Sequence, residues 1–192
     1  LVLTAVGAAS LLRSSPPPAV WSAPATQDFV GRAVDSHLRY TRGQLPLEVA
    51  SDRPEEVSRW FRGRVPFHLT LPDYPVLPGE KKFYRLEGGR LVSFRDDYVA
   101  YAVYRMDERP ISLLVTSSER VRPEGGDTVP FGKLEFHLES RSGLKVITWS
   151  DNGLTYALFS DLTVSGSASC LVCHGSPEER RKVEGFSTSP VS

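Results

Sequence analysis

An α+β fold is what this sequence predicts: two helices first, then a run of antiparallel strands, and a C-terminal tail. Three observations carry the expectation. Apolar residues recur at helical spacing between residues 27 and 61. Prolines 66, 72, 75 and 78 interrupt regular structure between about 65 and 80. Beyond residue 82, short runs rich in Tyr, Val and Leu alternate with Gly, Asp and Asn turn signals. Helices followed by strands, rather than interleaved with them, predict an α+β layer arrangement with both helices against one face of the sheet.

The elements follow in order. Gln27 to Arg42 reads as an amphipathic helix. Phe29, Ala33 and His37 fall four apart, with Val30, Val34 and Leu38 beside them, and Gly43 is a stop signal. A shorter helix runs from Pro54 to Phe61, with Pro54 in its first turn and Glu55-Glu56 at its positive end. Lys82 to Glu87 and Arg90 to Arg95 read as a hairpin turned by Gly88-Gly89. Tyr98 to Met106 and Arg109 to Ser118 are the next two strands. Glu119 to Pro130 reads as a polar loop. Three strands near 132–139, 144–150 and 153–161 complete a set of about seven, the last two joined by Asp151-Asn152-Gly153.

Four segments emerge: a remnant of a transmembrane or signal-anchor helix over 1–13, a Pro-rich linker over 14–28, a globular domain over 29–164, and a tail over 165–192. The uncharged run Leu1 to Leu12 is too short to cross a bilayer alone, since a spanning helix needs about 20 residues. It reads as the outer half of such a helix or the apolar part of a signal peptide. Pro16-Pro17-Pro18 stiffens the linker behind it.

Lys plus Arg equals Asp plus Glu at 23 each, so nothing in the charge supports nucleic acid as a partner. No Ser/His/Asp set, phosphate loop or carboxylate pair marks an enzyme. The chemistry concentrates instead in Cys170-Leu171-Val172-Cys173-His174. Two thiols two residues apart, followed at once by an imidazole, form the pattern that attaches one c-type haem covalently. The sulfurs of Cys170 and Cys173 suit thioether bonds, and His174 is placed to bind the iron. These are the two cysteines of the chain. A disulfide competes with this reading, but a thioredoxin-like pair opens a helix after a strand, and here Ser165-Gly166-Ser167 precedes it. Zinc competes too, but it usually needs a second ligand pair.

A second axial ligand could come from His68, Met106 or His37, with His137 behind them. His37 lies on the apolar stripe of the first helix. His68 sits in Pro66-Phe67-His68-Leu69, a proline-bounded loop, and is favoured slightly. Met106 ends a strand before a turn. His137 alternates with Phe136 and Leu138, so it is expected to point away from them toward solvent.

From Phe29 to Leu162 the chain resembles the extracytoplasmic domain of single-pass membrane anti-sigma factors, the transmembrane transcriptional regulators that restrain extracytoplasmic-function sigma factors. The residues carrying this are Val34-Asp35-Ser36-His37-Leu38-Arg39, Leu47 to Asp52, Val57 to Arg64, Leu71-Pro72-Asp73, Leu86 to Leu91, Ala102 to Arg105, Ile111 to Val115, and Trp149 to Leu158 with Ser160-Asp161-Leu162. The resemblance supplies a histidine at position 37 without any haem, which implies a structural role there. It also implies a periplasmic location on the bacterial inner membrane, single-pass anchoring, and a sigma factor as partner through a cytoplasmic part not among these residues. Members of that family finish with a short helix; here the Ser/Gly run and the haem motif stand in its place. A redox- or gas-sensing haem domain of such a regulator is the favoured expectation. A monohaem electron carrier, with a redox protein as partner, is the alternative, and a haem-free sensor domain with a disulfide is the third.

Overall fold

A computed structural model describes residues 23–72, 84–106 and 108–161. Among them the chain forms α1 (Ala23–Thr41), β1 (Val49–Ala50), α2 (Pro54–Phe61), β2 (Tyr84–Phe94), β3 (Asp97–Met106), β4 (Arg109–Ser117), β5 (Asp127–Phe131), β6 (Leu134–Arg141), β7 (Leu144–Asp151) and β8 (Leu154–Ser160). This is the expected α+β fold, dominated by one antiparallel sheet in the order β1-β2-β3-β4-β8-β7-β6-β5.

Helix α1 buries residues 25 and 26, 29 and 30, 33 and 34, and 36 and 37, a stripe that repeats every turn. It begins at Ala23, inside the segment read as linker. It ends as Gly43 implies: Gly43 takes φ 69°, its N–H donates to the Tyr40 carbonyl at 2.9 Å, and the Gln44 N–H donates to Arg39 at 2.8 Å. Helix α2 spans its predicted residues and buries Val57 and Phe61.

Four expectations are corrected. The helices do not share a face. Residues Phe29, Val30, Ala33 and Val34 of α1 pack on Val99, Tyr101, Val103, Leu114 and Phe159. Val57 and Phe61 of α2, with Val65, Leu69 and Leu71 after it, pack on Ala102, Tyr104, Ile111 and Leu113. Those strand residues alternate, so the two clusters lie on opposite sides of the sheet. The central strands are accordingly buried on both faces from Val99 to Tyr104 and from Ile111 to Thr116.

Gly88-Gly89 is not a turn. It lies inside β2, where Val49 pairs with Gly89 and Ala50 with Gly88. A Cβ on Gly88 would stand 2.0 Å from the Val49 carbonyl oxygen, and one on Gly89 would stand 2.7 Å from the Phe61 ring. The glycines let β1 and α2 close on the strand. The true turn is Arg95-Asp96, between Phe94 and its partner Asp97.

The span read as a loop before Pro130 contains β5, an edge strand in which Pro130 pairs opposite Glu135. An edge strand tolerates proline because one side of it lacks a ladder partner. Merging the two strands around Gly88-Gly89 and adding β1 and β5 turns the seven expected strands into eight described ones.

Candidate functional site

The haem motif Cys170, Cys173 and His174 lies outside the described residues, as do the segments 1–13 and 165–192. The last described residue before the motif is Asp161, just after strand β8. Strand β8 lies in the middle of the sheet, and Ser160 pairs with Ile111 on one side and Lys145 on the other. Asp161 follows at that end of the sheet. No group of three metal-binding side chains occurs among the described residues, and no described helix is long and apolar enough to cross a membrane.

The distal-ligand candidates lie on different sides of the sheet. His37 projects from α1 into the core and is 1% exposed. Its Nδ1 lies 2.7 Å from Ser112 Oγ on β4, and the Tyr101 hydroxyl lies 2.7 Å from the same oxygen. Ser112 and Tyr101 are fully buried. A serine hydroxyl has one proton and two lone pairs, so it can donate to at most one of these neighbours and accepts from at least one. Burial pushes the His37 imidazole below its ordinary value, partly opposed by the charge of Asp161. The Tyr101 hydroxyl is pushed well above its ordinary value, first by burial.

Met106 ends β3 on the opposite face, 8% exposed within the cluster that α2 covers. His68 follows α2 in an exposed position on that same side. Its neighbours Phe67, Leu69 and Leu71 anchor the loop in the core, and the Leu71 N–H donates to Ser58 Oγ at 2.9 Å. Thr70 Oγ1 lies 3.5 Å from His68 Nε2, at the outer limit of a hydrogen bond. His137 is drawn in rather than turned to solvent. Its Nδ1 lies 3.2 Å from the Gly125 carbonyl oxygen and its Nε2 3.3 Å from Glu135. The sheet therefore separates His37 from Met106 and His68, and His68 is the one of these three whose ring is open to solvent.

A second polar cluster escaped sequence reasoning. The register shift between Leu86 and Gly88 makes Glu87 a bulge residue. Its carboxylate receives Arg105 Nε at 2.6 Å and Nη2 at 3.0 Å, and the Tyr40 hydroxyl at 2.7 Å. Burial alone would raise the Glu87 carboxyl. The hydrogen bonds from Arg105 and Tyr40 and the charges of Arg105 and Arg85 outweigh it and hold the group below its ordinary value. Burial and the Glu87 carboxylate push Tyr40 up to about 12. The Tyr40 ring also meets Tyr101 edge-on at 6.4 Å, so the two clusters adjoin beneath the end of α1.

No known family model matches this chain, and neither does any curated protein sequence. Among solved structures, a GTP binding regulator from Thermotoga maritima aligns over 54% of this chain and 77% of its own, with 16% identity and a TM-score of 0.33. A likeness that slight carries no argument about this protein.

The donor chemistry fits a covalently held haem: two thiols and an imidazole within five residues, followed by an open choice of sixth ligand.

Proposed function

We propose that this protein is a membrane-anchored, periplasmic c-type haem protein, and that its globular domain is the sensor part of an anti-sigma-type transmembrane regulator. One observation carries the haem: Cys170, Cys173 and His174, beginning nine residues beyond Asp161. In this reading Cys170 and Cys173 hold the porphyrin, His174 binds the iron from one side, and His68 binds it from the other. Haem so held supplies a one-electron couple or an iron that takes a small gas.

Accessibility favours His68 as the sixth ligand. Ligation by His37 would require α1 to lift from the sheet, and ligation by Met106 would require the opposite cluster to open. A change at the tail reaches the rest of the chain by a short path. Asp161 lies four residues before the tail and close enough for its charge to act on His37. His37 stands on α1, the element into which the proposed membrane segment and linker lead. A ligand that alters tail packing can then bias α1, provided its two states differ in that contact.

Expression of the full chain with cytochrome maturation machinery tests the proposal. A pyridine haemochrome spectrum and a mass increase of one haem are expected, both lost in Cys170→Ala with Cys173→Ala. In His68→Ala a low-spin spectrum should become high-spin. Rapid uptake of carbon monoxide or nitric oxide by the unmodified protein favours sensing. A low-spin iron inert to both favours the electron carrier. A colourless product whose thiols titrate free, or pair with each other, refutes the haem.

A further inference from the structure

We infer that the surface formed by the end of α2 and the loop after it is the seat of the haem, with Arg59, Arg62 and Arg64 holding its propionates. The inference rests on the haem reading above and adds a binding surface to it.

Three exposed arginines fall within six residues there, at positions 59, 62 and 64. None has a carboxylate partner among the described residues, whereas Arg53 pairs with Glu56, Arg85 and Arg105 with Glu87, and Arg90 with Glu48. Clustered cations repel one another, so a dianion beside them is favoured. Guanidinium groups suit carboxylates because two N–H donors match two oxygens. A haem carries two propionates. The Arg64 guanidinium lies 4.8 Å from the centre of the Trp60 ring and donates to the Trp60 carbonyl at 2.6 Å, which fixes its position.

The same surface offers apolar area. Trp60 and Phe67 are half-buried, packed against the core with part of each ring left open. His68 follows Phe67 directly. Cations, aromatic surface and an open imidazole thus meet on one short segment, which the bond from Leu71 to Ser58 ties back onto α2.

The tail is long enough. Cys170 is nine residues past Asp161, a reach of up to about 30 Å when extended. Helix α2 packs over β1 and β2, and β2 is three strands from β8 in the sheet. At about 4.8 Å per strand that is about 14 Å across. His37, behind α1 on the other face, has its ring closed in the core.

The test uses the full chain with haem attached, comparing unmodified protein with a triple variant, Arg59→Gln, Arg62→Gln and Arg64→Gln. Arg32→Gln on α1 is the control. Cations beside the propionates disfavour the ferric state, so the triple variant should show a lower reduction midpoint. Proteinase K should also cut its tail about tenfold faster, as expected for an opening eased by about 1.4 kcal/mol. Added salt should move the unmodified protein the same way. The control should match the unmodified protein. Haem present but midpoint and cleavage unchanged in the triple variant would overturn this seat and leave the haem intact. If the unmodified protein carries no haem, both ideas fall. Should the triple variant misfold by circular dichroism, Arg62→Gln alone and the salt series decide the matter by the same criteria.

Discussion

His37 on α1 and Ser112 on β4 are joined at 2.7 Å in the core, although 75 residues separate them in the chain. The bond locates the helix along the central strand. It also gives the buried ring a partner, without which a polar group in that position would cost about 1–3 kcal/mol.

Ser112→Ala should therefore destabilise the domain by about 1–3 kcal/mol, since it strands both the His37 ring and the Tyr101 hydroxyl. Ser112→Thr keeps the hydroxyl and should lose less. Urea unfolding followed by tryptophan fluorescence measures both, and equal losses would show that the hydroxyl does not matter.

The burial of the same ring sets an acid limit. The folded state holds the His37 imidazole below its ordinary value of 6.5, while the unfolded chain binds the proton freely. This contribution is therefore fully present above about pH 6.5 and is lost as pH falls through the folded value. Urea midpoints should be level from about pH 8 to 7 and decline below 6.5, with a shallower decline in His37→Gln. Asp161→Asn removes the charge that opposes the shift, so the imidazole should titrate lower still when followed by NMR.

Tyr40 and Glu87 titrate as neighbours. In Glu87→Gln the tyrosine should fall from about 12 toward 10, stopping short because burial remains. Absorbance of the tyrosinate on alkaline titration reads this. A double-mutant cycle between Glu87 and Arg105 should give a coupling of about 1.5 kcal/mol near neutral pH, declining as acid protonates the carboxylate. A coupling near zero would mean that the two groups are solvated separately.

Gly88→Ala and Gly89→Ala should both destabilise the domain by about 1–3 kcal/mol. They should differ in repair. The obstacle at Gly89 is the Phe61 ring, so Phe61→Leu should partly rescue Gly89→Ala. At Gly88 the obstacle is backbone, the Val49 carbonyl, so the same change should not rescue Gly88→Ala. Thermal melts of the four variants decide it.

The glycine pair also shows where sequence reading ends. Local signals placed α2, the end of α1 at Gly43, and the turn after Asp151, because each depends on residues within a few positions. Gly88-Gly89 carries the same local signal as a turn. Its cause lies in Val49 and Phe61, which no window around it contains. Pro130 and Gly125-Gly126 hid β5 for the converse reason: an edge strand obeys fewer rules than a central one. His37 stood out on its stripe, but Ser112, its partner, looked like any strand serine. The two helices were assigned to one face because apolar periodicity gives an element's own buried side, not the side of the sheet it meets.

The placement of β8 has a consequence for how the protein is made. Synthesis delivers α1 through β4 first and β5 through β7 next, yet the strand that joins β4 to β7 comes last of those described. Until it arrives, two sheet edges and the apolar residues beside them stand open to other chains. A nascent polypeptide stalled before Leu154 is thus two unjoined pieces prone to stick, and its completion closes the gap with the very strand from which the cysteine-bearing end departs.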